Sequence, residues 1–324
     1  MPIQTLQRNI HSESFVENSE FTVDIPRIQN IESLMVELDV VVNVTTAGTA
    51  VREEAAARLI DRVQFIAGGK DVLDNIPFDI AVFGDYKRAY KSSAVPPSAA
   101  AIASYNVRAV AFLDRNNVNG WRPKDTSFKA WLTKLLQLRI TTKSANDLFT
   151  GAPVATVTSG TIKIAVLSHD EVTRADGSND QDEPKRVIKR TTQSLTYTAA
   201  NSAETFELPI GNACKQITIH ALDDDEPSNA LVNNAQFSIN DVDVRMNLPF
   251  DQMRDINAKA RNLSLSELPG GFAVIDSSPN GKFMDYFDLR GSNSDPVTRA
   301  VLQLDLAAPA GVGKIIIVVE EDIY

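Results

Sequence analysis

Cysteine is nearly absent: Cys214 is the only one in 324 residues, so a disulfide within the chain and a cysteine-based zinc site are both excluded. The fold must stand on packing alone, which suits assembly in a reducing cytoplasm. Histidine is also scarce. The three present, His11, His169 and His220, include no pair at metal-ligand spacing, which argues against a cupin-like metalloenzyme. Long apolar runs are missing too. The longest unbroken aliphatic stretch is Ile315–Val319, whereas a membrane-spanning helix needs about 20 residues. The opening MPIQTLQRNIHSESF lacks a basic head followed by an apolar core, so no secretory signal is expected. Positive charge is outnumbered, with 32 Lys and Arg against 42 Asp and Glu and a net charge of -10. An acidic surface of this kind favours solubility and argues against specific nucleic-acid binding. Nor is there a Gly-x-Ser-x-Gly elbow, a Walker-type loop or a His-Glu-x-x-His helix.

What is present is alternation. Apolar residues make up 43% of the chain, enough for each of two domains to bury a core. Phe21, Val23 and Ile25 oppose Thr22 and Asp24; Ile162, Ile164 and Val166 oppose Lys163 and Ala165. Ile217, Ile219 and Ala221 likewise oppose Thr218 and His220. Period two of this kind marks half-buried strands. Turn-rich stretches such as AGGK, RNNVNG, SSPNG and RGSNSDP separate them, the pattern of an all-β sandwich or barrel.

Two segments break the alternation. Phe78, Val82, Tyr86 and Tyr90 fall four apart over residues 78–90, one face of a short helix begun by Pro77 with Asp79 in its first turn. Residues 249–260 repeat that design with Pro249, Phe250, Asp251, Met253 and Ile256. The repetition extends outward: QFIAGGKDVLDNIPFD from Gln64 aligns without a gap on QFSINDVDVRMNLPFD from Gln236, eight of 16 positions being identical. Gly68-Gly69 stands opposite Asn240-Asp241, two pairs that both tolerate the positive φ of a tight hairpin. Further parallels follow in order. Ala111–Asp114 matches Ala273–Asp276, Leu136–Ile140 matches Leu302–Leu306, and Ile164–Leu167 matches Ile316–Val319. The chain therefore reads as one sandwich present twice, with longer loops in the first copy.

Candidate sites all have a plainer reading. The polar stretch 172–192 looks like a connection between the units, and its basic end, Lys185, Arg186, Lys189 and Arg190, like a solvated linker. Two acidic clusters, Asp223, Asp224, Asp225 and Glu226, and Asp180, Asp182 and Glu183, read as solvated loops, with structural calcium as the alternative. Gly68-Gly69-Lys70 resembles part of a phosphate loop, but its repeat partner Asn-Asp-Val identifies it as a hairpin turn. Cys214 reads as a buried structural thiol. Trp121 and Trp131 suggest a sugar-stacking platform or, as the plainer reading, packing. No catalytic, cofactor-binding or metal residue is assigned.

The hairpin RVQFIAGGKDVL, the strand VRAVAFLDR and LQLRITT, followed in the second half by KQITIHAL, NAQFSINDVDVRMNL and IIIVVEEDIY, resemble in order and pattern a known architecture. It is that of the double jelly-roll major capsid proteins of tailless icosahedral bacteriophages with an internal membrane, of corticovirus and tectivirus type. The resemblance implies an all-β fold of two tandem eight-stranded jelly-roll sandwiches with short helices in connections. It divides the chain into an arm (1–20), a first roll (21–172), a linker (173–192) and a second roll (193–324). It further implies a non-enzymatic shell subunit in the virion, assembled in the host cytoplasm. Three copies form a pseudo-hexameric capsomer over a membrane, touching neighbouring capsomers and penton or membrane-associated proteins. Loops 91–106 and 115–130 are then candidates for outer decoration. Only Arg8 is basic in residues 1–20, which speaks against lipid binding by the arm. The alternative is a two-domain carbohydrate-binding or virion spike protein.

Overall fold

The computed structural model describes residues 5–27, 29–69, 71–83, 94–115, 127–170, 187–277, 286–291 and 296–323. It divides into two compact units, Met1–Val187 and Ile188–Tyr324. In the first unit the strands are β1 (Thr5–Ser14), β2 (Glu20–Asp24), β3 (Asn30–Thr46), β4 (Ile60–Ala67) and β5 (Asp71–Pro77). After helix α1 (Phe78–Phe83) come β6 (Ser104–Asp114), β7 (Phe128–Lys129), β8 (Leu136–Thr142) and β9 (Val154–His169). One sheet has the order β1-β9-β3-β6, with β7 beside the start of β3; the facing strands run β5-β4-β8-β2. This is the strand order of a jelly roll, with the first and last strands adjacent in one sheet. Its core follows the alternation: Leu34, Val36, Leu38, Val40, Val42 and Val44 of β3 are all buried, as are Val23, Ile25, Leu138 and Ile140 from the other sheet.

The second unit repeats the plan. Its strands are β10 (Val187–Tyr197), β11 (Asn201–Glu207), β12 (Ala213–Asp223), β13 (Glu226–Pro227), β14 (Val232–Ile239) and β15 (Asp243–Pro249). Helix α2 (Phe250–Arg261) leads to β16 (Phe272–Asp276), β17 (Phe287–Asp288), β18 (Ala300–Leu306) and β19 (Gly313–Ile323). One sheet runs β10-β19-β12, with β16 and β17 on the other side of β12; the second runs β11-β18-β14-β15. Ile217, Ile219, Ala221, Phe237, Leu302, Leu304, Ile315, Ile317 and Val319 meet in its core.

The duplication extends to irregularities. A bulge on β5 opposite Phe65 and Ile66 recurs on β15 opposite Phe237 and Ser238. The shift at Ile60/Arg62 recurs at Val232/Asn234, and that at Ile31/Ser33 on β3 recurs at Cys214/Gln216 on β12. Bulges re-aim strands at defined points, so matched bulges mean matched frames. In each roll a short strand adds a phenylalanine edge-on to the central one: Phe128 to Phe65 at 5.4 Å, Phe287 to Phe237 at 4.9 Å.

Several expectations change. Residues 5–14, expected within an arm, form strand β1 along β9; edge position lets the strand stay polar, which hid it. Residues 187–192, expected in the linker, belong to β10. The match of Ala111 with Ala273 agrees with the pairing, since they sit opposite Val36 and Ile219. The last two matches slip. Leu138 and Leu302 both face their roll's central phenylalanine, a displacement of two from the sequence match. Val166 corresponds to Val319, opposite Leu34 and Ile217, a displacement of one. A one-residue slip exchanges faces, and the run Ile315–Val319, buried on both faces, carries no alternation to betray it. For the same reason Thr218 and His220, expected on a polar face, are buried.

Helix α1 begins directly after Pro77 and buries Phe78 and Val82; Tyr86 and Tyr90 lie outside the described residues. Helix α2 starts on Pro249 and ends at Asn262, whose φ of 55° is left-handed. It buries Phe250, Met253, Asn257 and Ala258, whereas Ile256, expected on that face, is 47% exposed.

Candidate functional site

The sequence-predicted candidates become structural parts. Cys214 opens β12 with no exposed surface. Burial, reinforced by Glu321 and Glu320, pushes its thiol well above the ordinary range, the opposite of what a nucleophile needs. His11 contacts Glu13 at 3.1 Å on β1. His169 is buried between the Ser127 hydroxyl at 3.0 Å and the Asp170 carbonyl at 2.6 Å. His220 is buried with its ring 6.3 Å from Phe272.

The acidic cluster at 223–226 is not simply a solvated loop. Asp224 and Asp225 adopt left-handed φ angles of 49° and 62° and close a tight turn. The Asp223 carboxylate accepts from the amides of Ala310 and Gly311 at 2.9 and 3.1 Å, and that of Asp224 from Val312 at 2.8 Å. Two of the four carboxylates thus tie down the loop before β19. Asp180, Asp182, Glu183, Lys185 and Arg186 lie outside the described residues. Arg190 is paired with Glu320 at 2.8 Å within β10 and β19, so it is no solvated linker charge. Gly68 and Gly69, at φ 63° and 78°, and Asn240 and Asp241, at 53° and 61°, form equivalent hairpin turns as their pairing in the repeat implies; Lys70 is outside the described residues.

Trp121 also lies outside the described residues. Trp131 is 38% exposed, its indole N–H donating to Asn30 at 3.2 Å. Beside it in the turn before β8, Leu132 and Leu135 are exposed, and the Leu135 carbonyl accepts from Gly68 at 2.8 Å. Arg27 holds this turn by donating to the carbonyls of Thr133, at 2.9 Å, and Lys134. The result is an apolar cluster flanked by two cations at one end of the first roll. The start of β1 lies at this end, since Thr5 and Asn30 both pair with His169. The loop ahead of β6 lies at the other: Ala103 and Ala100 accept from Val44 and Gly48. Those ends are separated by the length of β3 (Asn30–Thr46), roughly 50–55 Å. The described parts of the two stretches expected as outer decoration, 94–103 and 127–130, therefore lie at opposite ends of the roll; residues 91–93 and 116–126 lie outside the described residues.

Buried charge distinguishes the rolls. Arg115 pairs with Asp74, both essentially inaccessible, and its guanidinium lies 4.9 Å from the Phe65 ring centroid. By register the second roll has Ser277 and Met246 in these places. Its own charges cluster at the end of β19: Lys215 reaches Asp322 at 3.8 Å and lies over Tyr286 at 5.3 Å. Glu321 is buried, accepts from Asn212 at 3.1 Å, and has its pKa raised by desolvation against the opposing effects of Asn212 and Lys189.

No protein-family model matches the chain, and no curated protein matches it by sequence. Solved structures do. The major capsid protein of STIV, the Sulfolobus turreted icosahedral virus, superposes with a TM-score of 0.75 at 14% identity, over 99% of this chain and 97% of that one. The major capsid protein of bacteriophage PM2 gives 0.63 at 12%, over 99% and 98%. The capsid of the virus PBCV-1 gives 0.61 at 12%, over 100% and 96%. The chain has the double jelly-roll fold that these proteins share.

Proposed function

We propose that this chain is a viral major capsid protein, a non-enzymatic subunit whose trimers tile an icosahedral shell. The observation that carries this reading is the duplication at the level of register: two rolls with the same strand order and three matched bulges. A shell lattice offers near-sixfold positions, and three copies of a two-roll chain supply six nearly equivalent units to fill them. The whole-length likeness to capsid folds supports the same conclusion. Its partners are further copies of itself, neighbouring capsomers, and penton or membrane-associated proteins, and its place is the virion shell, assembled in the host cytoplasm.

The finer reading puts lipid beneath the shell. The end of the first roll that carries Trp131, Leu132 and Leu135 with Arg27 and Lys134 has the chemistry of a membrane interface, aromatic and aliphatic groups ringed by cations. On this reading that end faces inward with the chain's start, and the loop ahead of β6 faces outward.

Sedimentation of the purified chain tests the assembly. The expected species is three times 35.4 kDa, about 106 kDa, with a hexagonal outline in negative stain. A chain that stays monomeric at every accessible concentration and forms no lattice refutes it.

A further inference from the structure

Among the described residues, two end strands leave an open side with no group set against it. β1 ends its sheet beside β9, and β15 ends its sheet beside β14. Among the described residues neither makes a backbone hydrogen bond on its outer side. An open edge is a row of N–H and C=O groups ready to accept another strand, and folded proteins ordinarily block it. Elsewhere in this chain that blocking is visible. The outer side of β6 is bridged by Val95, which exchanges bonds of 2.7 and 3.1 Å with Arg108. That of β16 meets the Asn257 carboxamide, which donates to Val274 at 2.8 Å and accepts from it at 2.7 Å. The end strands β2 and β11 carry acidic charges alone, Glu20 and Asp24 on one, Glu204 and Glu207 on the other.

β1 and β15 lack a bridging segment and charge of a single sign; each has one bulge, at Ile10 and at Arg245, and is regularly paired on its inner side before and after it. Ten and seven residues long, they have proline only at the final position of β15. Each carries charge of both signs, Arg8 and Glu13 on β1, Asp243 and Arg245 on β15, so the two edges complement rather than repel. We propose that β1 of one copy lies alongside β15 of the next as an added strand, joining the first roll of one chain to the second roll of another. This rests on the trimer reading, and symmetry selects the pair. A ring of three needs two unlike surfaces meeting head to tail, whereas β1 against β1 is self-complementary and yields a two-fold dimer. Main-chain bonds supply the affinity, as in other strand additions.

Cross-linking and exchange test it on the full-length chain. Cys214 is buried, so introduced cysteines report alone. Gln7→Cys or Asn9→Cys is combined with Arg245→Cys or Asn247→Cys, all at exposed positions, and oxidised. At least one double variant is expected to give a non-reducing gel ladder ending at three chains, with no ladder from any single variant. In the unaltered trimer, amides of 5–14 and 243–249 should exchange at least about tenfold more slowly than in dissociated chains. A 106 kDa trimer in which no pair links and both strands exchange at the monomer rate overturns the strand pairing while leaving the trimer intact. A two-chain band from a β1 single variant overturns it in favour of like-with-like contact. A chain that never oligomerises removes both.

Discussion

Asp74 and Arg115 show how one residue pair separates two otherwise matched cores. Both charges are buried, and the pair replaces the Met246 and Ser277 of the second roll. Removing one partner of a buried pair strands the other, at a cost of about 3–5 kcal/mol, while replacing both with apolar groups of similar volume is often close to neutral. Asp74→Ala is therefore expected to lower stability by that amount in chemical denaturation, and Asp74→Met with Arg115→Met by much less. A loss in the double variant equal to the sum of the losses in the two single variants would show that the pair is not coupled. Glu321 carries a pH dependence. Its folded-state pKa is raised, chiefly by burial, so its contribution is most favourable below the ordinary glutamate range and is lost as pH rises through the raised value. Glu321→Gln, which keeps an acceptor for Asn212, should raise Tm at about pH 7, with the difference shrinking toward zero near pH 4. A pH-independent difference would assign the effect to packing instead.

Among the elements, the strands with one buried face were legible as alternation, and the hairpins at Gly68-Gly69 and Asn240-Asp241 as residues that accept positive φ. Strands without that contrast were not. β1 is too polar to look like a strand, and β19 is apolar on both faces, so its register had to come from pairing with β12. The role of Asp223 and Asp224 was equally hidden, because the amides they bind lie some 87 residues away. The turn at residues 130–135 carries the lipid reading. Trp131→Ala with Leu135→Ser is expected to reduce co-sedimentation with vesicles containing anionic lipid at least about fivefold, since each buried apolar side chain contributes about 1.5–3 kcal/mol. Sedimentation of the variant should still give the parent oligomer. Unchanged vesicle binding would remove the membrane from the proposal and leave the shell.

At the scale of the whole molecule, the capsid reading depends on repetition rather than on any reactive group. On that reading, matched frames would let one chain occupy two near-equivalent lattice positions, while unmatched features let the two rolls differ. The first has the longer connections, and the second has the charge cluster at the end of β19. The duplication itself was determined by the amino-acid sequence, because a gap-free run of 16 residues preserves hairpin, proline and helix start together. So were the all-β class, a matter of period, and the exclusion of an intrachain disulfide, a matter of a single cysteine. The tertiary structure decided which residues of the copies correspond in β8 and β19, which loops share an end of a roll, and which strand edges stay open. Those depend on hydrogen-bond register between distant segments, and local alternation is silent once a strand is buried on both faces or exposed on both.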